Sequence, residues 1–172
     1  MDKAEALAFM DAQNQFLQIF GKDHSFTASD LRQMHRTWLG SIYSWAGEYR
    51  NADISKEGMM FAHAAHIPTL MVDFENTILK QHTPCLSQNP KDVSRALAEV
   101  HVELILIHPF REGNGRIARA LATLMVAQSG RHLPKFDYLD QNKRQYFSAI
   151  QAGIGKDYGP LQHLFEKVII RR

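Results

Sequence analysis

Apolar residues return every three or four positions through almost the whole of this chain, a spacing that suits helices and few other structures. Residues 3–20 read as a first helix, with Leu7, Met10, Asn14, Leu17 and Phe20 along its stripe. Thr27-Ala28-Ser29-Asp30 has the form of a capping box, with Asp where Glu or Gln is usual. It opens a second helix whose inner face carries Leu31, Met34, Trp38, Leu39 and Ile42. From Ser44 to Ala62 the rhythm breaks. Gly47 and Gly58 punctuate it, and Ile54-Ser55 and Met60-Phe61 flank a Lys56-Glu57-Gly58 turn, the pattern of a short β-hairpin. Pro68 suits the first turn of another helix, with Leu70, Met71, Phe74 and Ile78 on its apolar face. Residues 82–90 read as a loop. Asn89-Pro90 then starts a helix whose period runs through Val93, Ala96, Leu97, Val100, Leu104 and Ile107 to His108, where Pro109 must interrupt it. A further helix runs from about Asn114 to Gln128, ended near Gly130, and two more lie at 140–152 and from Pro160 to the end. The expected fold is all-α with one small hairpin, a single domain over residues 1–172 on which the 3–20 helix packs.

Composition narrows the function classes. A chain of 172 residues can bury a sizeable core, and a formal net charge of +2 speaks against a polybasic nucleic-acid surface, so no direct nucleic-acid contact is expected. Cys85 is the only cysteine, which excludes an internal disulfide and a thiolate metal cluster and fits a reducing, cytoplasmic setting. The Met-Asp-Lys-Ala-Glu start lacks a signal-peptide pattern. No apolar run approaches the roughly 20 residues needed to span a bilayer, so no membrane partner is expected. Delivery into a host cell stays open.

The chemistry concentrates in His108-Pro109-Phe110-Arg111-Glu112-Gly113-Asn114-Gly115-Arg116-Ile117-Ala118-Arg119. Gly113 and Gly115 let a ligand approach the backbone, and the helix beginning near Asn114 aims its unpaired N–H groups and positive dipole end at that space, where a phosphate belongs. Arg116 and Arg119, three apart, leave one face of that helix, and their guanidinium forks suit phosphate oxygens. Cations near a helix N-terminus are disfavoured, so an anion is expected to offset them. Glu112 supplies a carboxylate of the kind that holds Mg²⁺ beside substrate phosphates. His108, at the end of the preceding helix, can accept a proton from an attacking hydroxyl. Singly these are a turn, a basic face, a loop acid and a helix cap. Together they describe phosphate-group transfer.

The segment resembles the signature of the Fic family, His-Pro-Phe-x-Asp/Glu-Gly-Asn-Gly-Arg-x-x-Arg, at every specified position. Trp45-Ala46-Gly47 followed by Arg50 is similar to the family's Trp-Ala-Gly-x-x-Arg region, and Ile54 to Ala62 to its flap hairpin; the likeness covers about 30–170. The resemblance implies a Fic-type helical bundle with the hairpin flap beside the active-site loop. It implies an ATP-dependent protein adenylyltransferase that moves AMP onto a Tyr, Thr or Ser hydroxyl of a target protein, with release of pyrophosphate. His108 would be the general base and Phe110 the anchor of the loop. Glu112 would bind Mg²⁺. Gly113, Asn114 and Gly115 would form the anion hole, with the Asn114 side chain helping to position a phosphate, and Arg116 and Arg119 would hold the β- and γ-phosphates. Ile54, Ser55, Lys56, Met60 and Phe61 would form the target-binding flap, and Tyr146 and Phe147 would line the adenine pocket.

Many Fic proteins carry an inhibitory helix, Ser/Thr-x-x-x-Glu-Gly/Asn, whose glutamate pairs with the second motif arginine. Here Ser44 to Glu48 has the spacing but is followed by Tyr49, and Glu57-Gly58 has Asp53 at the Ser/Thr position. The expectation is therefore a toxin-like enzyme restrained by a separate small antitoxin protein. Transfer of UMP, phosphocholine or phosphate, and a catalytically idle partner-binding module, remain alternatives. Gly115, which kinase-like relatives replace with lysine, favours AMP transfer.

Overall fold

In the computed structural model residues 3–56 and 58–170 are described. Helix α1 spans Lys3–Ile19 and α2 Ala28–Leu39. Strands β1 (Ser55–Lys56) and β2 (Met59–Met60) form the hairpin. After it, α3 (Ile67–Phe74) continues through a wide turn at Glu75–Leu79 into the short α4 (Lys80–His82). The long α5 (Pro90–Ile107) and α6 (Asn114–Gln128) flank the motif loop. Then come α7 (Asp137–Gln141), α8 (Lys143–Ala152) and α9 (Gly159–Ile170). The all-α expectation holds, with the two short antiparallel strands as the sheet.

Helix α5 is the axis of the bundle. It starts where the sequence places it: Asn89 caps by accepting from the Lys91 N–H (3.0 Å), and Pro90 fills the first turn. Val93, Leu97, Val102 and Leu104 are all buried on it because α9 lies along one side, α6 along another, and α3 and α8 cover the rest. Helix α2 has its capping box in full: Thr27 Oγ1 accepts from Asp30 N–H (3.1 Å), and the Asp30 carboxylate accepts from Thr27 N–H (2.9 Å). Its expected inner face is buried, with Ile42 half-buried just beyond the helix.

Three expectations need correction. Helix α1 packs on α2 and α6, but through a different face. Of the expected stripe Phe20 is buried, but Leu7, Met10 and Leu17 are 57%, 63% and 40% exposed, and Ala12 and Phe16 are buried in their place. Two apolar stripes compete on this helix, and the aromatic one wins. Phe9 meets Trp38 edge-on at 4.9 Å and Phe20 meets Phe26 at 5.1 Å, and each buried aromatic is worth about 1.5–3 kcal/mol. The hairpin pairs Ser55 with Met60 and Lys56 with Met59, one residue inside the expected strands. Phe61 N–H and Ile54 carbonyl meet at 3.4 Å at its base, and Gly58 closes the turn at φ +79. Glu57, the middle of the expected turn, lies outside the described residues. The expected helix over 140–152 is two, divided at Asn142. Asn142 leaves helical angles there (φ −114, ψ 39), and both its side chain (2.7 Å) and its backbone N–H (3.1 Å) donate to the Tyr138 carbonyl. Among the described residues no helix is long and apolar enough to cross a membrane.

Candidate active site

Helix α5 ends in an unusual way. His108 caps it with left-handed backbone angles (φ 52, ψ 59), a conformation costing a side chain about 1–2 kcal/mol. Several contacts hold it there. Its N–H donates to the Leu104 carbonyl (3.0 Å), its own carbonyl accepts from Arg50 Nε (2.7 Å), and its ring stacks on Phe61 at 3.7 Å. Its Nδ1–H donates to the Ile105 carbonyl (3.1 Å), which leaves the Nε2 lone pair free to take a proton. Burial, helped by the charges of Arg50 and Lys56, lowers the imidazole pKa to about 4 against the pull of the Ile105 carbonyl and Glu112. The ring is therefore neutral near pH 7.

Arg50 is the clasp behind this arrangement. Buried beneath the hairpin, its guanidinium donates to the carbonyls of His108 and Ile107 at the end of α5 and to those of Ala52 (2.7 Å) and Ala62 at the foot of the hairpin. Its backbone N–H donates to the Pro109 carbonyl (2.9 Å). The helix end leaves its last carbonyls without partners, and one residue satisfies two of them while fastening the flap to the motif loop.

The loop itself is pinned from α2. Phe110 is fully buried, as expected of the anchor, and stacks on His35 at 4.1 Å with 10° between the rings. Gly47 N–H donates to His35 Nδ1 (2.8 Å), so the ring's proton sits on Nε2 and is donated to the Glu112 carbonyl (3.0 Å). Burial lowers this histidine to about 4 as well. Gly113 adopts φ +81 with the Trp38 ring below it, where a Cβ would lie 2.4 Å from the indole. At Gly115 a Cβ would meet nothing within 4 Å. The start of α6 is open.

Asn114 departs from expectation. Its carboxamide is buried, accepting from Phe110 N–H (2.8 Å) and donating to the Phe110 carbonyl (2.8 Å). Both ends of the amide are engaged in tying the loop into a ring, so the side chain acts as a structural clasp.

The arginines have the anionic partners that the helix dipole calls for. Arg116 lies 4.5 Å over the Trp38 ring, 3.2 Å from Glu112 and 3.6 Å from Glu5 of α1. Glu5 is held in turn by the Tyr43 hydroxyl (2.8 Å), while its backbone carbonyl accepts from Trp38 Nε1 (2.9 Å). Arg119 makes a two-pronged pair with Asp140 of α7 (2.8 and 3.2 Å) and lies over Phe136. The carboxylate on the second motif arginine thus comes from an aspartate on a short helix.

These groups meet in a cavity of about 410 Å³. Its wall includes His108, Glu112, Gly113, Asn114, Gly115, Arg116 and Arg119, the flap residues Ile54, Ser55, Lys56 and Phe61, and both Tyr146 and Phe147. Met60 is the exception. It is 67% exposed, and the strand's alternation turns Met59 to the cavity instead. Phe61 presents its ring to His108 and stacks on the imidazole. Sequence reasoning missed His35, Glu5, Asp140 and the wall residues Ile105 and Ile150. His35 was findable: it falls four after Leu31 and one after Met34 on the buried stripe, where an imidazole must find two partners.

A family profile described as the Fic/DOC family matches residues 25–126. The chain is 31% identical over 135 residues to protein adenylyltransferase VbhT of Bartonella schoenbuchensis, covering 78% of this chain and 27% of that protein. It is 31% identical over 143 residues to "Probable protein adenylyltransferase Fic" of Escherichia coli, covering 81% of this chain and 68% of that one. The chain therefore spans about a quarter of the first relative and two thirds of the second. In fold it is similar to the crystal structure of BepC from Bartonella tribocorum with bound AMPPNP (TM-score 0.78, 21% identity, 95% of this chain and 83% of that one). It is equally similar to a Fic domain from Bartonella quintana with bound ADP (TM-score 0.78, 21% identity, 95% and 82%).

Proposed function

This chain belongs to the Fic/DOC family, and on that footing we propose that it is a protein adenylyltransferase using ATP to place AMP on a Tyr, Thr or Ser hydroxyl of a target protein. The observation that carries the reading is the His108 imidazole. With Nδ1–H committed to Ile105, its Nε2 is left as a proton acceptor on the same cavity wall as the open start of α6. The ATP-analogue and ADP found in the two Bartonella structures support a nucleotide there, and the names of the two relatives support AMP as the group moved.

The target hydroxyl gives its proton to His108 Nε2 as its oxygen attacks the α-phosphorus. The bond from that phosphorus to the bridging oxygen breaks, and pyrophosphate leaves with the electron pair. The N–H groups at the start of α6 hold the phosphates, and their dipoles face the negative charge that builds up on them. Arg119 meets the outer phosphates by sharing or exchanging its Asp140 partner. Phe61 and Arg50 keep the imidazole in place. The exposed outer edge of β1, at Ser55 and Lys56, suits pairing with an extended target segment.

Glu112 fits a Mg²⁺ ion: it is a hard oxygen donor, 60% exposed, on the cavity wall beside the phosphate cradle. When bound, such an ion would neutralise phosphate charge. Restraint is read as the work of a separate small antitoxin protein, since the sequence around Glu48 and Glu57 departs from the inhibitory pattern at Tyr49 and Asp53. A cytoplasmic site of action is supported by the single, buried Cys85.

The test is incubation with a cell lysate and ATP labelled at either the α- or the γ-phosphate, with any inhibitor removed. Label retained on protein from the α position alone, and reduced at least about a hundredfold in His108→Ala, is the expected result. Label from the γ position alone would mean phosphate transfer. No His108-dependent label of either kind would sink the enzyme reading.

A further inference from the structure

Behind the cavity wall lies a buried histidine that the proposed chemistry does not use. His101 of α5 is 1% exposed, and its Nε2 stands 2.8 Å from the Tyr146 hydroxyl. Phe165 of α9 meets its ring edge-on at 5.4 Å. Its Nδ1 has no hydrogen-bond partner, and the Ala118 carbonyl lies near the ring. Burial keeps the ring neutral, so it carries one proton, and a phenol hydroxyl at 2.8 Å is a good donor to Nε2, which puts that proton on Nδ1. Nε2 is then the acceptor, and the Tyr146 hydroxyl donates to it, pointing into the protein and away from the cavity.

We infer that His101 is a positioning residue for the nucleobase: it turns Tyr146 so that the ring, rather than the hydroxyl, faces the ligand. This rests on the proposed nucleotide site. With Ile105, Phe147 and Ile150 beside it, Tyr146 completes an apolar wall whose one polar side-chain atom is already spent. Such a wall holds a flat ring by contact. Pockets of that kind discriminate poorly between ring substituents, whereas a site built to hydrogen-bond an edge discriminates strongly. The base is thus selected for its planar shape.

The test compares binding of ATP and of inorganic tripolyphosphate, which lacks the base, to the whole chain. His101→Leu and Tyr146→Phe each remove the hydrogen bond from one side. Each is expected to weaken ATP by about tenfold and to leave tripolyphosphate unchanged. His101→Gln, whose amide can take the place of Nε2, restores ATP binding, and the double variant is no weaker than either single one. Unchanged ATP affinity in both single variants overturns the proposal, as does equal weakening of both ligands, the mark of general structural damage. A wild-type chain that binds ATP no better than tripolyphosphate would instead remove the base pocket itself, and with it this part of the proposed function.

Discussion

Two glycines two positions apart answer to different forces. Gly113 has a left-handed backbone and the Trp38 ring against its α-carbon; Gly115 has space. Gly113→Ala is expected to cost about 2–4 kcal/mol, from backbone strain and overpacking together. Gly115→Ala, on a helix's first turn, should leave stability within about 1 kcal/mol while lowering ATP affinity at least about tenfold, because its methyl group enters the cradle. Urea unfolding and nucleotide titration of the two variants separate these effects; equal losses of stability would contradict the difference. The motif residues were legible because their types and spacing carry the chemistry directly. The Asn114 amide was misread because nothing local distinguishes a side chain that holds a phosphate from one that closes its own loop. The partners of Arg116 and Arg119 arrive from Glu5 and Asp140, far along the chain, and no short-range pattern announces them.

Among the elements, the hairpin depends on a residue outside it. Arg50 spans the carbonyls of α5's end and of both feet of the flap, so Arg50→Ala would strand several buried acceptors at once. The expected cost is about 3–5 kcal/mol. The expected signature is faster amide hydrogen exchange over residues 54–61, with α9 unaffected until global unfolding. Uniform exchange across the chain would argue that the clasp is ordinary packing. Helix starts were well read wherever a cap signalled them, as at Thr27 and Asn89. The face of α1 was not, apart from Phe20, because Leu7-Met10-Leu17 and Phe9-Phe16 have comparable periods, and only the aromatic surface of Trp38 on α2 and of Phe26 ahead of it decides between the two. The break at Asn142 turns on the backbone angles of one residue, which the apolar period does not register.

Across the molecule, three histidines sit neutral in the folded state: His35 and His108 at about 4 and His101 at about 3. In each, burial is the main cause. Each binds its proton far more readily once unfolded, near pH 6.5. Their contribution is complete above pH 6.5 and is lost as pH falls toward 4. Unfolding near pH 5 should take up about three protons, so stability should fall by about 4 kcal/mol per pH unit there. Urea titrations at pH 7 and pH 5 measure it, and equal stability at both would mean that these rings are not buried neutral. The helical class and the placing of α5 and α6 were legible because period alone carries them; how the nine helices among the described residues stack was not, since that is settled by contacts across the chain. One consequence follows from the Arg50 clasp. The edge on which a foreign strand can lie and the ring that would strip its proton are riveted to the same helix tip. Any visiting chain therefore meets a fixed ruler, set once when the protein folds, and choice among visitors falls to whatever decides which of them can reach it.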